Sequence, residues 1–98
     1  MSIATLTSGK QCTIKIQGRF DFVVQSEFRQ AYEKVKSDSQ FIIDFSTADY
    51  MDSAALGMLL LLRDYAGAGN SDITLKNCRS EIKTILEISN FHKLFKIN

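Results

Sequence analysis

With 98 residues, 45% of them hydrophobic and 23% charged, the chain has room for one domain around one core. A net charge of +1 argues against a nucleic-acid surface. The longest apolar run, Ala54 to Leu62, is about half of what a membrane-spanning helix needs, which excludes direct membrane insertion by a helix.

Met1 to Lys10 lacks a basic start followed by an apolar run, so no signal peptide is expected and the protein is placed in the cytoplasm. Ser2 to Thr7 is a weak strand candidate, and Gly9-Lys10 could turn it into an antiparallel hairpin with the next strand. Cys12 to Gln17 alternates apolar and polar residues, the pattern of a half-buried strand, and Gly18 is expected to end it. Val24, Phe28, Ala31, Tyr32 and Val35 recur at helical spacing and predict an amphipathic helix. Phe41 to Phe45 is short, almost wholly apolar and rich in β-branched and aromatic residues, which predicts a central strand covered on both faces. Ala54 to Ala66 is made of good helix formers and is expected to close at Gly67 or Gly69. Asp72 to Asn77 alternates again and reads as a strand. Ser80 to Ser89 sets Ile82, Ile85, Leu86 and Ser89 on one side of a further helix, and Phe91 to Ile97 reads as an apolar tail docked on the core. No proline, repeat or low-complexity run interrupts the chain. Strand–helix–strand units with short connections imply parallel pairing and one α/β domain over residues 1–98.

Candidate chemistry is sparse. Cys12 and Cys78 are too few for a disulfide framework and lack metal-ligand spacing, so they read as reduced thiols with at least one buried. His92, the only histidine, has no cysteine or carboxylate beside it and is not read as a base or ligand. There is no nucleophile–base pair, metal cluster or phosphate-binding glycine loop, so an enzyme is not expected; Gly67-Ala68-Gly69 reads as a helix end and turn.

Charge is distributed unevenly. Residues 1–37 carry six basic against three acidic side chains, and residues 76–98 five against two. Residues 38–75 hold six aspartates against Arg63 alone. Two of those aspartates, Asp49 and Asp52, flank Ser53 at the expected start of a helix, where free N–H groups and the positive end of the dipole favour an anion. Either Asp52 or Ser53 caps that helix, or Ser53 accepts a phosphate there. At about 100° per residue, Ala55, Met58, Leu59, Leu62 and Ala66 face the sheet. Ser53, Gly57, Leu60 and Asp64 lie opposite, flanked by Leu56 and Leu61. Gly57 serves either close approach by a partner or helix–sheet packing.

Asp44-Phe45-Ser46, then Met51-Asp52-Ser53-Ala54, then Leu56-Gly57-Met58-Leu59 resembles the signature of anti-sigma-factor antagonists of the STAS family (sulfate transporter and anti-sigma antagonist). Gly18-Arg19-Phe20-Asp21 resembles the family's Gly-x-Leu-Asp turn, with Phe20 in place of Leu, and Leu86 to Phe95 is similar to its last helix and tail. Ala54 stands where the family often has Ser or Thr, and Ala55 where it often has Gly. The resemblance implies a four- to five-stranded mixed sheet carrying about three to four helices, and a protein without catalysis or cofactor of its own. It further implies that Ser53 is phosphorylated by a serine kinase that is also the anti-sigma factor, with ATP and Mg²⁺ belonging to that kinase. A metal-dependent serine phosphatase would reset the switch. The expected partner surface is Asp21, Asp49, Asp52, Ser53, Ala54, Leu56, Gly57, Leu60 and Leu61. The competing reading is a STAS subunit held permanently in a larger complex, such as a lipid-transport assembly, with Ser53 never modified.

Overall fold

The computed structural model describes residues 3–98; Ser2, the first residue of the expected N-terminal strand, lies outside them. Five strands, β1 (Ile3–Ser8), β2 (Gln11–Phe20), β3 (Gln40–Met51), β4 (Asp72–Lys76) and β5 (Lys96–Ile97), form one sheet in that spatial order. The first two strands are antiparallel, as the turn at Gly9-Lys10 suggests, and all later neighbours are parallel, as the strand–helix alternation implies, so the sheet is mixed. Helices α1 (Gln25–Glu33), α2 (Ser53–Tyr65) and α3 (Ser80–Ile88) fill the crossovers, with short 3₁₀ turns at Phe22–Val24, Ala68–Asn70 and Phe91–Lys93.

One face of the sheet makes the core. Cys12, Ile14 and Ile16 on β2, Phe41, Ile43 and Phe45 on β3, and Ile73 and Leu75 on β4 are buried beneath Phe28, Tyr32, Leu59, Leu62, Ile82 and Leu86 of the helices. The opposite face, with Thr13, Lys15, Ile42, Asp44 and Thr74, stays half-exposed. The expectation that β3 is covered on both faces is therefore corrected: the domain has two layers, and the apolar run Phe41 to Ile43 hides an ordinary alternation in which Ile42 faces outward between Thr13 and Thr74. Asp44 also lies on the open face. Burial pushes its carboxyl up, but hydrogen bonds from the Ser46 N–H (2.9 Å) and Asn77 (3.2 Å) outweigh this and hold it below the usual value.

Two strands run further than the sequence suggests. β2 passes through Gly18, whose φ of +76° suits a residue without Cβ, and its pairing with β3 shifts register on either side of Gln17–Gly18. β3 continues to Met51, and the Thr47 hydroxyl donates to the Ile16 carbonyl (3.0 Å) across the irregularity. Through this stretch Phe45, Ala48 and Met51 are buried at a spacing of three, which neither strand nor helix periodicity detects. Val35 falls beyond α1, where its carbonyl accepts from the Tyr65 hydroxyl. α2 closes at Gly67, whose φ of +104° ends the helix in the left-handed region. The C-terminal tail docks through Phe91 and Phe95, with ring centroids 5.5 Å apart, and adds β5 to the sheet. Cys12 is buried, and burial pushes the half-buried Cys78 thiol up to about 11.

Candidate functional site

The site is built where β2 and β3 end side by side. Phe20 and Met51 are register partners, and each is followed by an aspartate that caps a helical turn. Phe20 is fully buried against Phe28 (centroids 5.1 Å) and Phe45 (5.8 Å), which pins the strand end. Asp21 then accepts from the Val23 N–H (3.1 Å) and pairs with Arg19 (3.2 Å). Asp52 accepts from the Ala55 N–H (3.1 Å) at the start of α2. Ser53 is the first residue of that helix; it is exposed, and among the described residues its hydroxyl makes no hydrogen bond.

The choice left open between Asp52 and Ser53 is thus decided for Asp52. Asp52→Ala is expected to cost about 0.5–2 kcal/mol in chemical denaturation, as for other lost caps. Ser53→Ala should stay within about 0.5 kcal/mol of the parent, as for a surface change away from any cap. The cap also alters the setting of a phosphate: Asp52 already occupies the Ala55 N–H, so an anion on Ser53 would share the helix end with a carboxylate.

Two turns along α2 from Ser53 the helix exposes apolar surface. Leu60 is 39% exposed and Leu61 50%, as the helical phase requires, while Leu59 between Met58 and Leu60 is fully buried. A Cβ placed on Gly57 would meet nothing within 4 Å, so packing on the sheet does not explain this glycine and the approach to its Cα is open. Ala54 is half-buried, and Leu56 is half-buried and packed against the core, leaving each only partly available to a partner. Asp49 is exposed at the rim of a cavity of about 180 Å³ shared with Tyr50, Arg79 and Ile82. Among the described residues no three His, Cys, Asp or Glu side chains are grouped to hold a metal ion.

The family described as "Mlab, STAS domain" matches residues 3–96. The chain belongs to the STAS family. A STAS-domain containing protein of Pseudomonas aeruginosa (strain UCBPP-PA14) is 52% identical over 101 residues, spanning all of both chains. Among solved structures, the anti-sigma factor antagonist SpoIIAA in its unphosphorylated form superposes with a TM-score of 0.81 at 15% identity, covering 98% of this chain and 87% of that one. An anti-sigma factor antagonist from Mycobacterium paratuberculosis gives 0.82 at 18% identity, covering 97% of this chain and 82% of that one. At these identities the likeness is one of fold: the single α/β domain with a five-stranded mixed sheet and three helices is the SpoIIAA-like fold.

Two exposed features at this end of the sheet lie outside the surface expected from the sequence. Phe22 and Val23, 68% and 80% exposed, project from the turn that Asp21 caps. Their signal was the apolar run Phe22-Val23-Val24 directly after an aspartate, of which only Val24 fits the helix pattern and is buried. Arg19 was also missed: its guanidinium lies 3.9 Å from the centre of the Tyr50 ring and beside Asp21, where the side-chain hydrogen bond to that carboxylate raises its pKa. Arg19 and Tyr50 are register partners, and strand alternation sets them on the side opposite Phe20 and Met51.

Proposed function

We propose that this STAS domain is a non-catalytic antagonist of an anti-sigma factor that acts in the cytoplasm and is switched at Ser53. The observation that carries the reading is an exposed hydroxyl free of hydrogen bonds, at the first position of α2 and beside the capping carboxylate, on a helix that also exposes Leu60 and Leu61. A kinase can reach such a hydroxyl without unfolding anything. The partner is a serine kinase that doubles as the anti-sigma factor, docked on Asp21, Asp49, Asp52, Ser53, Ala54, Leu56, Gly57, Leu60 and Leu61 while Ser53 is unmodified. Phosphorylation adds about −1.5 to −2 charges next to Asp52 and releases the complex. A metal-dependent phosphatase restores the serine. SpoIIAA, which shares the fold, occurs in unphosphorylated and phosphorylated forms.

Incubation with the cognate kinase and ATP–Mg²⁺ should add one phosphate by intact mass, mapped to Ser53 by peptide analysis. Modification at Ser46 or Thr47 instead would overturn the assignment. A protein that binds its partner through the same surface but carries no phosphate in its own host would be a permanent subunit of a larger assembly.

A further inference from the structure

The two edges of the sheet are finished differently. β5 is two residues long and carries Lys96, paired with Asp72 at 3.0 Å; short length and charge both protect an edge. β1 is six residues, Ile3-Ala4-Thr5-Leu6-Thr7-Ser8, with no charge and no proline, and all but Ile3 are exposed. Strands of this kind offer their outward backbone groups to another chain. The direction of those groups follows from two observations. The Ile3 N–H donates to the Glu27 carboxylate of α1 (3.2 Å), so it points away from β2. Ser8 and Gln11 close the two-residue turn as register partners. Backbone groups alternate along an antiparallel strand, so Thr5 and Thr7, in step with Ile3, also turn theirs outward, while Ala4, Leu6 and Ser8 bond to β2.

We propose that β1 is a homodimer contact, in which two copies pair antiparallel across a two-fold axis at Leu6 and join their sheets edge to edge. In that register Thr5 of each copy faces Thr7 of the other. The four outward N–H and C=O pairs of these threonines are then satisfied in two hydrogen-bonded pairs, and the outward Ile3 N–H stays with Glu27. Leu6, 72% exposed, meets its own counterpart at the close, non-hydrogen-bonded position. It also extends a cross-strand row, Leu6–Thr13–Ile42–Thr74, on the open face of each sheet. A second copy suits this edge better than a charged strand does, because threonine meets threonine and leucine meets leucine without an unpaired charge. At the flanks, Ile3 stands opposite Gly9 of the second copy, while Lys10 keeps its pairing with Asp38 in its own copy (3.7 Å). The contact is small against the roughly 1,200–2,000 Å² of a stable interface, so the dimer is concentration-dependent. Ser53 lies at the end of β3, two strands from the axis, so dimerisation leaves that surface free.

Sedimentation equilibrium of the full chain from about 10 μM to about 1 mM tests this, the range that brackets weak association. The weight-average mass should climb toward the dimer. Thr5→Pro removes an outward N–H that β2 does not use, and Leu6→Lys sets two ammonium groups face to face; each should raise the dimer Kd at least about tenfold. Melts at low concentration should remain unchanged for Leu6→Lys, since its side chain is already in solvent; if Thr5→Pro fails to fold, Leu6→Lys decides alone. A wild type that stays monomeric throughout, or a dimer indifferent to Leu6→Lys, overturns the proposal.

Discussion

Leu59→Ala is expected to lower the unfolding free energy by about 2–5 kcal/mol, while Leu60→Ala, one residue on, should change it by less than about 1 kcal/mol. Leu59 is fully buried beneath α2, where it joins Ala55, Met58 and Leu62 against the sheet. Its truncation opens a cavity in a close-packed region that can collapse only in part. Leu60 is turned about 100° around the helix and is 39% exposed. Its methyl groups are free to meet a partner instead. The same two variants should therefore separate stability from binding: if Leu60 lies in the proposed docking surface, Leu60→Ala loses affinity for the proposed anti-sigma partner at near-native stability. Denaturant melts that show equal losses for both would place Leu60 in the core and remove it from the docking surface.

Ser53→Asp should weaken partner binding by at least about tenfold while the domain keeps its fold. At the first turn of α2 a carboxylate is tolerated or mildly favoured by the helix dipole, by about 0.3–1 kcal/mol. In a complex the balance reverses. The new charge stands beside Asp52, whose carboxylate is held in place by the Ala55 N–H, and near the Asp21 cap; an interface that closes over Ser53 strips water from like charges. Arg19 offers little relief, because it is already engaged by Asp21 and Tyr50. Aspartate carries one charge and is smaller than phosphoserine, so it mimics the modified state only in part. Ser53→Ala, by contrast, should bind like the parent and resist release by the kinase. Amide shifts spread through the whole domain of Ser53→Asp would point to a conformational switch, and unchanged affinity across a salt titration would move Ser53 out of the interface.

The sequence by itself determined the elements whose side chains keep a regular period. The alternation of Cys12 to Gln17 and Asp72 to Asn77, the helical spacing from Val24 to Tyr32, and the inward stripe Ala55, Met58, Leu59, Leu62 and Ala66 all match buried faces, because burial on one side writes itself directly into periodicity. The Asp52-Ser53 junction was legible for the same kind of local reason: a capping residue must precede the free N–H groups of a helix. Only the tertiary structure decided which of the two caps, since that depends on where Met51 leaves the sheet. It also decided that β2 and β3 run on through Gly18 and Thr47 to Phe20 and Met51. There the bulged pairing changes the burial spacing to three, a period with no local signature. The site depends on that extension, because the contact of Phe20 with Phe45 and its pairing with Met51 join residues far apart in the chain, and this packing brings Asp21, Phe22 and Val23 to the same end of the sheet as Asp52 and Ser53.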